Sequence, residues 1–98
     1  MKQLLESRAQ LEDAWHVIEE TARRGEGMTF TYCLRWNGRE SAPSFYASVL
    51  SESDRATAWL GNDPDFAKDC YRRIRDGFVT PCTLQEIVDD LIWERSNG

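Results

Sequence analysis

One histidine and three scattered cysteines leave this chain short of the side chains that hold metals or run nucleophilic chemistry. Cys33, Cys70 and Cys82 have neither the close spacing of a zinc knuckle nor that of a redox pair. With His16 as the lone imidazole, a tetrahedral metal centre lacks ligands. Dispersed thiols of odd number fit half-buried side chains in a reducing compartment, so the expected location is the cytoplasm. Apolar runs are only a few residues long, which excludes a bilayer-spanning helix. The opening Met1-Lys2-Gln3-Leu4-Leu5-Glu6 lacks the apolar stretch of a secretory signal. Basic residues are also in deficit: 12 lysines and arginines face 17 acids, a net charge of −5. That balance opposes nonspecific attachment to phosphate backbones or anionic lipid, so neither nucleic acid nor membrane is an expected partner.

What the chain does have is core material. Its 98 residues suffice for one domain with one modest core. A 41% apolar and 30% charged composition is that of a globular chain rather than a disordered one. Four tryptophans add large surfaces suited to cores and interfaces.

Residues 1–24 read as an N-terminal helix. Leu4, Leu11, Trp15, Ile18 and Ala22 fall on one narrow stripe, and Glu19/Arg23 and Glu20/Arg24 are i,i+4 pairs in the favourable order. Gly25 and Gly27 then serve as its stop. Residues 28–60 read as a three-stranded antiparallel meander. Met28, Phe30, Tyr32, Leu34 and Trp36 alternate with polar residues, Asn37-Gly38 opens a long hairpin loop, and strands follow at about 44–51 and 56–60. The last two strands are apolar on both faces: Phe45, Ala47 and Val49 oppose Tyr46 and Leu50, while Ala56, Ala58 and Leu60 oppose Thr57 and Trp59. Such a sheet needs covering on both sides.

Residues 64–95 read as a helical hairpin packed on the sheet. Asp63-Pro64 is an N-cap followed by proline at the first helical position, and Ala67, Cys70, Tyr71 and Ile74 form the core stripe, with Gly77 as the stop. Thr83 and Glu86 have the spacing of a capping box, and Leu84, Ile87, Val88, Leu91 and Ile92 give the last helix its apolar face, with Leu91 at the centre. The expected fold is thus α+β: an N-terminal helix, a three-stranded meander and two closing helices in a single domain.

From Tyr32 to Ile92 the chain resembles a family of short Firmicute proteins of unknown function. The resemblance is carried by Tyr32-Cys33-Leu34, by Trp59-Leu60-Gly61-Asn62-Asp63 leading into a helix, by Val79-Thr80-Pro81, and most specifically by Leu84-Gln85-Glu86-Ile87-Val88-Asp89-Asp90-Leu91-Ile92. It implies a bacterial cytosolic setting and assigns no activity.

No catalytic constellation emerges. His16, with Glu12 one turn before it in the helical reading, has no serine or cysteine placed to be its partner. Adjacent carboxylates such as Asp89 and Asp90 diverge by about 100° on a helix and cannot share a metal or a proton. No cofactor is expected. Lys68, Arg72, Arg73 and Arg75 give the helix after Pro64 a basic flank, but the final helix, which would enter the groove in a helix-turn-helix, is acidic. The remaining class is a protein-interaction or assembly module, with a small ligand- or nucleic-acid-binding regulator as the alternative. Trp93 winds away from the apolar stripe of its helix, and exposed tryptophan is an interface residue. The candidate interface is therefore Leu11, Trp15, Ile18, Tyr46, Trp59 and Trp93, the expected partner being a second copy in a homodimer or another protein. The competing arrangement is intramolecular, with the N-terminal helix folding over the second sheet face or over Trp93 of its own chain.

Overall fold

The chain is described by a computed structural model over residues 15–25 and 27–97. Four strands come first: β1 (His16–Gly25), β2 (Met28–Trp36), β3 (Phe45–Leu50) and β4 (Arg55–Gly61). Helix α1 (Pro64–Asp76), a 3₁₀ turn (Pro81–Thr83) and helix α2 (Leu84–Asn97) follow. The strands pair in sequence order β1-β2-β3-β4, every pair antiparallel.

The expected N-terminal helix and three-stranded sheet are therefore overturned. Residues 16–25 are a strand, and the meander has four strands rather than three. Leu4 and Leu11 lie outside the described residues. The reason is local. Val17, Ile18 and Thr21 are β-branched, and such residues lose rotamer freedom in a helix but fit a pleated surface. Gly25 faces Met28 in the register, so the glycines read as a helix stop instead mark a tight hairpin, Gly25 as the last residue of β1 and Gly27 in the turn at φ 78°. The spacing that made Glu19/Arg23 a helical pair also places both on one face of a strand, where each meets α1.

Directly opposed residues share a face. One face, the helix face, carries Phe30, Tyr32, Leu34 and Trp36 of β2, Phe45, Ala47 and Val49 of β3, and Ala56, Ala58 and Leu60 of β4. It packs on Ala67, Cys70, Tyr71 and Ile74 of α1 and on Leu84 and Val88 of α2. Tyr32, Leu34, Leu60, Ile74, Leu84 and Val88 are closed to solvent, each large aliphatic side chain contributing about 1.5–3 kcal/mol. Leu91, expected at the centre of the last helix's face, is only partly buried; Leu84 and Val88 hold that place. Two tyrosines lock the layers together: Tyr32 Oη donates to Val79 O at 3.1 Å, and Tyr71 Oη donates to Tyr32 O at 3.1 Å. Burial raises the pKa of both phenols, so both remain donors.

Asp63 caps α1 by accepting from the Asp65 amide at 3.0 Å, with Pro64 next in the chain. Its other carboxylate oxygen accepts from Arg95 of α2. Desolvation alone would raise the Asp63 pKa, but hydrogen bonds from the Asp65 and Phe66 amides and from Arg95 outweigh it and hold the pKa below the ordinary value. Thr83 does not form the expected capping box; its hydroxyl turns back to Thr80.

The amides of Gly77, Phe78 and Val79 close the end of α1, and β1 adds a tie from the sheet. Arg23 donates to Arg75 O at 2.8 Å, satisfying a terminal carbonyl where the helix dipole favours a cation. The same guanidinium lies 4.0 Å from the centre of the Phe78 ring. Phe78 sits at φ 54°, a left-handed conformation uncommon for a bulky side chain. Its ring is edge-on to Phe30 and fills the space beside Gly25, where a Cβ would lie 3.1 Å from a ring carbon.

Candidate interaction surface

Residues that alternate with the helix-face set point to the far face of the sheet. Across the four strands these form rows. Val17 faces Arg35, Arg35 faces Tyr46, and Tyr46 faces Trp59. The next row is Glu20, Cys33, Ser48 and Thr57, followed by Ala22, Thr31, Leu50 and Arg55. Trp15, immediately before β1, lays its ring edge-on to Tyr46 with centroids 4.7 Å apart. Trp59 is 47% exposed and donates from its indole nitrogen to Ser44 Oγ at 2.8 Å; Val17 is 51% exposed. The middle of the face is sunken and polar. Cys33 and Ser48 are buried there, Arg35 donates to the Cys33 sulfur at 3.5 Å, and Ser48 and Thr57 share a hydrogen bond at 3.2 Å. Trp15, Tyr46 and Trp59 thus form one aromatic cluster at one end of a face whose middle is made of small polar side chains.

Of the candidate interface residues, Trp15, Tyr46 and Trp59 come together here. Ile18 does not join them: it is the extra residue of a bulge between Val17 and Glu19, and is exposed. Trp93 is exposed on α2, in the helical layer, and the aromatic pairs among the described residues do not include it. Leu11 is outside the described residues. Val17 was missed, because the helical reading gave it no place on the apolar stripe; the row across the sheet appears only once β1 is a strand.

The remaining charged and thiol groups are distributed differently. Arg73 pairs with Asp69 at 3.2 Å and approaches Glu94 at 4.0 Å, while Arg75 pairs with Asp76 at 2.9 Å and turns toward Glu19 of β1 at 3.9 Å. The basic flank of α1 is thus divided between the acidic helix and the sheet. His16 stands across the hairpin from Trp36, ring centroids 5.9 Å apart. The Trp36 indole nitrogen is shut off from solvent without a hydrogen-bond partner among the described residues. Burial, and then the neighbouring Asp69 charge, push the Cys70 thiol up to about 11, which makes it an inert core side chain. Cys82 is exposed. Among the described residues no group of three or more potential ligands could hold a metal ion, and no helix is long and apolar enough to cross a membrane. A shallow hollow of about 410 Å³ lies over the β3–β4 turn, lined by Leu50 to Arg55.

Comparison with protein-family models, with curated proteins and with solved structures finds no match.

Proposed function

We propose that this chain is a non-enzymatic protein-interaction module that assembles with a second copy of itself through the far face of its sheet. The observation that supports this reading is the cluster of Tyr46 and Trp59, with Trp15 packed on Tyr46 and Val17 across Arg35 in the same row, on the face that α1 and α2 do not cover. Tryptophan and tyrosine carry a large share of the binding energy at protein interfaces when a partner shields them. A reducing cytoplasm suits the three free thiols, and a bacterial origin belongs to the same proposal through the resemblance over residues 32–92. Sedimentation at tens of micromolar tests it. The wild-type chain is expected to run above the monomer mass, and Trp59→Asp, which places a charge in the contact and leaves the helix face untouched, is expected to lower that mass while circular dichroism stays the same. A wild-type monomer at that concentration overturns the proposal.

A further inference from the structure

The sheet has a second surface built for pairing, its β1 edge. β1 is ten residues long and terminal in the strand order, so among the described residues one side of its backbone has no strand beside it. Natural edge strands avoid accidental pairing through short length, bulges, proline and charged side chains, lysine above all, so whether an edge can pair depends on how its charges meet those of the incoming strand. Over its last seven residues, after the bulge at Ile18, β1 carries no proline or lysine. Its four charges there, Glu19, Glu20, Arg23 and Arg24, can be set against an antiparallel copy without like charges facing one another.

The charges decide the register. Antiparallel pairing about a two-fold axis perpendicular to the sheet keeps helix-face residues opposite helix-face residues, so only registers that match like faces are allowed. On the helix face of β1, Glu19 and Arg23 are already engaged with α1. On the far face, Glu20, Ala22 and Arg24 are exposed, and no ion pair among the described residues uses either charge. Centring the axis on Ala22 sets Glu20 of each copy opposite Arg24 of the other, with the small alanines meeting at the axis. Oppositely charged residues directly across a strand pair stabilise it, and like charges destabilise it.

We propose that two copies of this chain pair antiparallel along β1, centred on Ala22, to form a continuous eight-stranded sheet held in register by two Glu20–Arg24 pairs. The inference deepens the proposed self-assembly and rests on it only for the identity of the partner. The two-fold axis leaves both far faces on the same side of the joined sheet, so a face contact then joins two such pairs into a closed assembly of four.

The test is light scattering at about 100 µM and low salt, where exposed charge pairs are least screened, on four chains: wild type, Glu20→Arg, Glu20→Arg/Arg24→Glu, and Trp59→Asp. Glu20→Arg turns both attractive pairs into repulsive ones and is expected to weaken the edge contact roughly tenfold or more. The mass of wild type should be halved by Glu20→Arg and restored by the double reversal. Restoration also shows that any loss in the single variant is not misfolding. If Glu20→Arg keeps the wild-type mass, or if the double reversal fails to recover it, the edge pairing is wrong, and a mass that then falls only with Trp59→Asp leaves the face contact standing. A mass sensitive to Glu20→Arg but not to Trp59→Asp supports the edge and removes the face. A wild-type monomer removes both.

Discussion

The two faces of the sheet draw on neighbouring residues of the same strands and treat them in opposite ways. Leu60 on the helix face is closed to solvent, whereas Trp59, one residue earlier and larger, keeps 47% of its surface. Tyr32 on the helix face is closed and its hydroxyl is bonded, whereas Tyr46 on the far face is partly open and held by one ring contact with Trp15. Hydrophobicity does not separate the two sets. What separates them is the helical layer, which among the described residues reaches one face only and leaves the far-face aromatics partly open.

The largest expected effect lies on the covered face. Leu60→Ala removes buried methyl groups from a closed core and should cost about 2–5 kcal/mol by chemical denaturation. A cost below about 1 kcal/mol would mean that the helix face collapses around the cavity and is not tightly packed. A smaller effect comes from loosening the layer that makes the faces differ. Asp63 ties the start of α1 to Arg95 of α2, and its pKa is lowered in the folded state. A lowered carboxyl pKa contributes stability in full above the unfolded value of about 3.9 and loses it as pH falls through the folded value. Melting temperature should therefore fall below pH 4, and Asp63→Asn, which keeps a capping side chain but not the charge, should flatten that part of the profile. Identical acid profiles for the two chains would place the acid sensitivity elsewhere, with Asp76, whose pKa the Arg75 hydrogen bond also lowers, as the next candidate. The smallest effect is expected on the far face. In dilute solution, where self-association is absent, Trp59→Ser should change the unfolding free energy by no more than about 0.5 kcal/mol. A loss of several kcal/mol would show that Trp59 serves its own chain.

Most of residues 28–97 was legible in the sequence because burial there follows hydrophobicity. β2 alternates apolar and polar residues, Asp63-Pro64 announces α1, and the face carrying Leu34, Val49 and Leu60 is the one the helices cover. β1 was not legible for the converse reason. Its inward residues are Glu19, Thr21 and Arg23, which meet the polar flank and end of α1 rather than the core, so its period of two is absent from the hydrophobic pattern. Trp15, Ile18 and Ala22, which make a tidy stripe on a helical wheel, do not share a contact surface in the fold: Trp15 packs on Tyr46, Ile18 is in the bulge and Ala22 is exposed. The density of β-branched residues at 17, 18 and 21, followed by a glycine turn of hairpin length, was the signal that favoured a strand. The candidate surface was half legible for the same reason. Tyr46 and Trp59 followed from the two-sided pattern of β3 and β4, while Val17 and the charge order of Glu20 and Arg24 needed β1 in its place.

The Arg23 tie joins the first strand to the end of the first helix. Most helix ends are closed by residues a step or two further along, within the same folding unit. Gly77, Phe78 and Val79 do this for α1, and Arg23 adds a further donor from 52 residues upstream, across the whole meander. The β1–β2 hairpin is a local contact, whereas the Arg23 tie closes a loop of some fifty residues and carries a larger entropic cost. Once formed, the tie works in both directions. Peeling β1 from the sheet edge removes the Arg23 contacts to Arg75 O and Asp76 O and uncovers the Phe78 ring, so the edge strand and the end of α1 are coupled.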